Sequence, residues 1–208
     1  MVRFCSIGVL DRPLCLALIA GYATSDWFLA LSLGLVFELF WLDGVELGSV
    51  VPPHGSLGFL LAFPLCRLFA LEHAEQVLIP LFLSLAATYA AAYHEKRRRF
   101  RLDQLDVRLA AWCANPAHGS SPGRLVGVAL GRMAACHAIL YLLCFFVICG
   151  VLQVLGTRWD FSGMPHISWW MIFLAAFPGT FLSLRTRRAY YMLVGVVGAG
   201  FLWAAKIF

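Results

Sequence analysis

Residues 11–54, DRPLCLALIAGYATSDWFLALSLGLVFELFWLDGVELGSVVPPH, are apolar enough for a membrane interior, yet charge and helix-breaking residues interrupt them repeatedly. The interruptions are Asp11-Arg12-Pro13-Leu14, Asp26, Glu38, Asp43, Glu46-Leu47-Gly48 and Pro52-Pro53-His54. An isolated charge at the centre of a membrane helix costs about 2.5–3.5 kcal/mol on insertion scales, and lipid leaves no partner for freed backbone groups. Several such residues in one short region therefore predict a cavity lined by protein or water, and a solute site within it.

The whole chain agrees with that reading. Of 208 residues, 62% are hydrophobic and 13% charged, where a soluble domain carries roughly a quarter charged residues. Mean hydropathy is +0.82. The length suits one bundle of about six or seven spanning or half-spanning elements and leaves no room for a second, soluble domain. Asp11 and Arg12 break the first apolar stretch too early for a secretory signal, so the N-terminus is expected to be retained. Seven cysteines (Cys5, Cys15, Cys66, Cys113, Cys136, Cys144, Cys149) form no C-x-x-C pair and mostly lie in apolar runs, as reduced packing residues do.

Apolar runs fall at roughly 14–24, 27–42, 57–71, 77–93, 125–156, 169–184 and 189–205. Several are too short to cross a bilayer upright, and short runs flanked by charge read as broken or re-entrant segments. Gly44, Gly48, Pro52, Pro53, Gly55 and Gly58 make 43–58 the weakest candidate for continuous helix. The expected fold is an all-α, polytopic membrane helix bundle with broken or re-entrant helices in its N-terminal half. Residues 1–93 would form the membrane region holding the solute site, 94–124 a cytoplasmic basic helix and loop, and 125–208 the C-terminal membrane helices.

Charge sets the orientation. The net charge of +5 suggests nucleic acid at first sight, but six of the sixteen Lys and Arg residues lie in 96–108 and three in 185–188, beside apolar runs. The positive-inside rule places His94-Glu95-Lys96-Arg97-Arg98-Arg99-Phe100-Arg101 in the cytoplasm. Run 77–93 then enters from outside, a span near 136–155 exits, 169–184 returns to Arg185-Thr186-Arg187-Arg188, and 189–205 exits again, leaving Lys206 as an exception. Trp159, Trp169 and Trp170 gather at the assigned outer boundary, as interfacial aromatics do. The basic loop serves either to set orientation or to dock a cytoplasmic partner.

On a helical reading of 27–42, Gly34, Glu38 and Trp41 share one face at i, i+4 and i+7. A carboxylate that accepts hydroxyl hydrogen bonds, beside an indole that covers the C–H face of a ring, is the lining of a sugar pocket. The structural alternative is that Glu38 pairs with Arg12 or Arg67, which leaves it lining the same cavity. Asp26 before Trp27 reads as an N-cap or as a ligand residue, and Asp43 is ambiguous. Arg132 reads as an interfacial or snorkelling charge. The G-x-x-x-G pair Gly127/Gly131, and Gly195 with Gly198 and Gly200, suggest close helix packing. Cys113, His118, Cys136 and His137 are too separated by spacing and topology for a metal site, and neither metal nor cofactor is expected.

The order Arg12-Pro13-Leu14, Gly21, Asp26, Gly34, Glu38, Gly48 and Pro53 resembles, in one ungapped register, the membrane subunit IIC of the mannose/fructose/sorbose class of the bacterial phosphotransferase system. Beyond residue 60 the likeness is softer, and the chain is shorter than usual for that family. The resemblance implies a multi-pass protein of the bacterial inner membrane that translocates a hexose or amino sugar. Its partners would be a membrane subunit IID and cytoplasmic IIA and IIB, in an oligomeric complex. IIB would phosphorylate the sugar, so this chain would be no enzyme and have no catalytic residues. The substrate-binding set would be Glu38, Trp41, Glu46 and His54, with Asp26 and Asp43 nearby. Two positions depart from the family: Glu46 stands where it has Asn, and His54 where it has Asp. Either the two changes balance each other in charge, or the substrate differs, for example an amino sugar drawn to Glu46, or transport has been lost. The rival functions are a non-transporting scaffold or sensor, and a membrane enzyme using His54 and the nearby acids as general acid/base groups.

Overall fold

The computed structural model describes residues 12–41, 53–114, 122–156 and 166–177, together with Tyr191, Val194 and Gly195. The regular structure of the described residues is entirely helical. Its principal helices are α1 (Pro13–Thr24), α2 (Trp27–Phe40), α3 (Gly55–Leu68), α4 (Ala74–Ala114), α5 (Pro122–Gly156) and α6 (Trp169–Ala176).

Local chemistry sets the first three boundaries. Arg12 is extended, and Pro13 opens α1 at the position where its missing N–H and fixed φ are harmless. The helix ends at Ser25, which takes the left-handed conformation at φ 59°. Asp26 follows at once as the cap of α2, its Oδ1 accepting from the Leu29 N–H at 3.3 Å. With two residues between them, α1 and α2 fold back as a tight hairpin. Small residues let the two helices touch: Gly21 lies under the Trp27 ring, and a side chain at position 34 would overlap the Ala17 methyl and approach the Pro13 carbonyl oxygen.

α3 is the hub. One side, with Phe59, Ala62, Phe63 and Cys66, joins a core built with Ala17, Leu33 and Phe37 of the hairpin, Val77 of α4, and Ile172 and Ala176 of α6. The other side, with Leu61 and Leu65, packs against Ile148 and Leu152 of α5. Pro64 sits inside α3 and has no N–H to give the Leu60 carbonyl four residues earlier. The Tyr141 hydroxyl of α5 supplies that bond at 3.2 Å. At its far end α3 closes with Leu71 N–H donating to Cys66 O at 2.9 Å and Ala70 N–H to Arg67 O at 3.2 Å, with Ala70 left-handed at φ 49°. This is a Schellman turn built on alanine in place of glycine.

Helix lengths divide the chain. α1, α2 and α3 have 12, 14 and 14 residues, about 18–21 Å each at 1.5 Å per residue, against a hydrocarbon layer of about 30 Å. They are too short to cross it upright. Two stretches are long and apolar enough to cross, Ala74–Arg98 and Val126–Gly156. Of their most apolar windows, 39% and 11% respectively is buried inside the chain. α5 thus presents an almost wholly exposed apolar surface, as a lipid-facing helix does. α4 runs unbroken to Ala114, so the basic segment expected to begin a separate region at 94 is the continuation of one 41-residue helix. The second boundary, at 124/125, likewise falls inside α5.

Replacing Tyr141 by Phe is expected to lower stability by about 1 kcal/mol, the worth of a typical net hydrogen bond. In a Pro64→Ala background, where Leu60 regains an N–H partner, the same change is expected to cost less than half as much. Thermal unfolding of the four proteins in micelles measures both.

Candidate functional site

The ends of α1, α2 and α3 converge. Glu38 lies in the last turn of α2, where its own helix presents carbonyl oxygens, an unfavourable place for an acid. The start of α1 offsets this: Arg12 Nη1 reaches Glu38 Oε1 at 3.2 Å. The guanidinium side chain is 57% exposed and the carboxylate side chain only 14%. Of the two alternatives for Glu38, pairing with Arg12 is the one formed. The other carboxylate oxygen, Oε2, is buried and has no hydrogen-bond partner among the described residues.

Trp41 caps the same helix end. Its ring meets Tyr89 of α4 edge-on, 5.3 Å between centroids at 74°, and leans on Phe40 at 6.2 Å. Its Nε1, a donor only, is likewise buried with no partner among the described residues. Gly55 opens α3 against this indole: a Cβ there would lie 2.6 Å from Trp41 Cδ1 and 3.0 Å from Pro13 Cγ. The half-buried His54 precedes it in extended conformation, and its carbonyl accepts from Leu57 and Gly58 N–H at 3.2 and 3.4 Å. The junction therefore holds Arg12, Glu38, Trp41 and Tyr89, with the His54–Gly55 backbone against it. The other unpartnered buried polar atoms among the described residues, the Ser84 and Ser168 hydroxyls, are neutral and lie on other elements.

Asp26 does not belong to this junction. It starts the helix that Glu38 ends, 12 residues or about 18 Å along the axis. There its Oδ1 caps α2 and its Oδ2 takes Arg67 Nη1 of α3 at 3.2 Å. The structure thus places Asp26 and Glu38 at opposite ends of α2, a separation set by the length of that helix. Asp43 and Glu46 lie outside the described residues, as does Asp11. Gly34, on the same helical face as Glu38, is a contact point for α1 and so positions the acid without lining the site. Tyr89 was missed by sequence reading, since nothing in an apolar run distinguishes an aromatic that will meet Trp41. Among the described residues no group of three or more His, Cys, Asp or Glu is arranged to hold a metal.

Arg12→Gln is expected to destabilise the wild type by about 0.5–1 kcal/mol more than it destabilises an Glu38→Gln protein, because the pair is half open to solvent on the arginine side. A double-mutant cycle by thermal unfolding reads that coupling, and a value of zero would show the pair to be energetically silent. Comparison of the chain with family models, with curated proteins and with solved structures gives no match.

Proposed function

We propose that the chain is the sugar-translocating membrane subunit of a phosphotransferase-type permease, with its solute site at the junction of α1, α2 and α3. One observation carries the reading: Glu38 Oε2 and Trp41 Nε1, three residues apart on one helix end, are both buried and both without a partner among the described residues. A buried polar group left unpaired costs about 1–3 kcal/mol. A hydroxyl group both donates and accepts, so it answers the carboxylate oxygen and the indole N–H alike. A polyhydroxylated ligand offers several. Trp41 then acts as a hydrogen-bond donor, while its ring is engaged with Tyr89, Phe40 and Gly55.

The membrane setting has separate support. From Ala74 to Glu95 on α4, and from His137 to Gly156 on α5, the rise is about 32 Å and about 29 Å, close to the thickness of a hydrocarbon layer. Glu95 and His137 face each other at 3.8 Å, so both helices leave that layer at the same level, beside the basic cluster assigned to the cytoplasm. Three helices too short to span, packed through α3 against these two, support the reading of a polytopic bundle with broken or re-entrant elements. The order of Arg12-Pro13-Leu14, Gly21, Asp26, Gly34, Glu38, Gly48 and Pro53 points to the IIC subunit, with IID, IIA and IIB as partners. His54, Glu46 and Asp43 remain candidates for the rest of the lining.

The test is sugar uptake by membranes carrying the chain together with its co-encoded partner subunits. Glu38→Gln is expected to reduce uptake about 10- to 100-fold, the worth of one hydrogen bond to a charged group. Trp41→Phe is expected to reduce it less, and Asp26→Asn, at the opposite end of α2, to leave it within about twofold. Uptake indifferent to Glu38 and Trp41 would remove the site, and a complex that binds no sugar would favour a scaffold.

A further inference from the structure

One exposed stripe of α4 changes character along its length. Phe82, Ala86, Tyr89 and Tyr93, then Lys96 and Arg97, follow at intervals of three or four residues and so share one face of the helix. All six are exposed, with Phe82, Tyr89 and Tyr93 at 63%, 59% and 62%. The buried face of the same segment runs through Leu81, Ser84, Thr88 and Glu95. The exposed stripe is apolar first, then phenolic, then cationic.

A phospholipid has the same order of character along its length. From Phe82 to Tyr93 the helix rises about 16–17 Å, close to half of a hydrocarbon layer of about 30 Å, the depth of one leaflet. Tyr93 then falls where interfacial aromatics sit, and Lys96 and Arg97 follow about 4–6 Å further along, at the depth of the headgroups. The three cations after Tyr93 are not equivalent. Arg98 is committed, donating from Nε and Nη2 to the two Glu95 carboxylate oxygens at 2.8 Å each. Lys96 and Arg97 have no carboxylate partner among the described residues. The Arg97 guanidinium instead lies over the Tyr93 ring, 5.5 Å from its centroid. A guanidinium stacked on a ring keeps the N–H groups at its edge free, and these match two oxygens of one phosphate. Lys96 adds a point charge on the same face. The opposite end of α4 carries Glu72 and Glu75, so the two ends present opposite signs.

We propose that this stripe of α4 binds an anionic phospholipid, with an acyl chain along Phe82, Ala86 and Tyr89 and the headgroup phosphate held by Arg97 and Lys96 beside Tyr93. The assignment rests on the membrane setting proposed above and is independent of which solute the junction takes. A zwitterionic phospholipid offers the same chains but brings its own cation toward Lys96 and Arg97, so the stripe selects for a headgroup of net negative charge.

Native mass spectrometry of the full chain in micelles, titrated with phosphatidylglycerol or with phosphatidylcholine, tests the site. Wild type is expected to bind phosphatidylglycerol about fivefold more tightly than phosphatidylcholine, and Arg97→Gln to lose about fivefold in affinity for the first with the second unchanged. Arg97→Lys, which keeps the charge and loses the planar fork, is expected to lose about twofold. Arg124→Gln removes the same charge from an exposed position on α5, about 20 Å along the axis beyond His137, and is expected to change neither affinity. Equal binding of the two lipids would overturn the proposal, as would equal losses from Arg97→Gln and Arg124→Gln, which would show a diffuse attraction. Glycerol 3-phosphate, a phosphate ester without chains, is expected not to displace bound phosphatidylglycerol at equal concentration; displacement would overturn the lipid assignment in favour of a free phosphate ester. Retention of neither lipid would strike the membrane setting itself, whereas equal retention of both strikes only the headgroup site.

Discussion

The close approach of α1 to α2 at Gly34 is the contact on which the candidate site depends. Only without a side chain at 34 does the start of α1, with the Ala17 methyl and the Pro13 carbonyl, lie directly on α2. That approach carries Arg12 over the end of α2 and within 3.2 Å of Glu38. A carboxylate side chain 14% exposed at the carbonyl end of its own helix is poorly placed without a cation beside it. The guanidinium meets it through Oε1, and Oε2 is left without a partner among the described residues.

α3 extends this arrangement through the molecule. Its first residue, Gly55, presses on Trp41 and Pro13, while near its other end Arg67 holds Asp26, so one helix braces the hairpin at both extremities. Its interior proline would leave Leu60 with an unanswered carbonyl in an apolar setting, and Tyr141 answers it from α5. A helix broken by Pro64 is therefore stitched to its neighbour at the break. The same α5, one turn toward its N-terminus, brings His137 to Glu95 of α4. One of these contacts on α5 thus ties it to the short-helix unit and the other to the second long helix.

Much of this could be read in the residues. Ser25-Asp26 before an apolar run announces a cap, and Asp26 caps. The spacing of Gly34 and Glu38 puts them on one helical face, where Gly34 meets α1 and Glu38 meets Arg12 at its start. Asp26 and Glu38 are near in sequence yet begin and end the same helix, whose length holds them apart and leaves Asp26 to Arg67. The boundary at 94 is a change of composition and not a helix end: a run of arginines changes what surrounds a helix without ending it, and residues 81–114 contain neither Gly nor Pro. Tyr89 and His137 were illegible because their partners, Trp41 and Glu95, lie on other helices, and no local pattern encodes such a meeting.

On the proposed reading, the buried atoms left without a partner among the described residues constrain what would occupy the junction. An ammonium group satisfies Glu38 Oε2 but repels the Trp41 N–H, and a carboxylate satisfies Trp41 but opposes Glu38; a hydroxyl suits both. Arg12 strengthens the discrimination, because its charge already balances Glu38 and removes the attraction that an added cation would otherwise feel. On the proposed reading an amino sugar would therefore have to place its nitrogen away from this pair, with a hydroxyl here. The selectivity of the junction would rest on hydrogen-bond polarity more than on net charge, as expected where a site penalises any partner that leaves one of its buried groups unpaired.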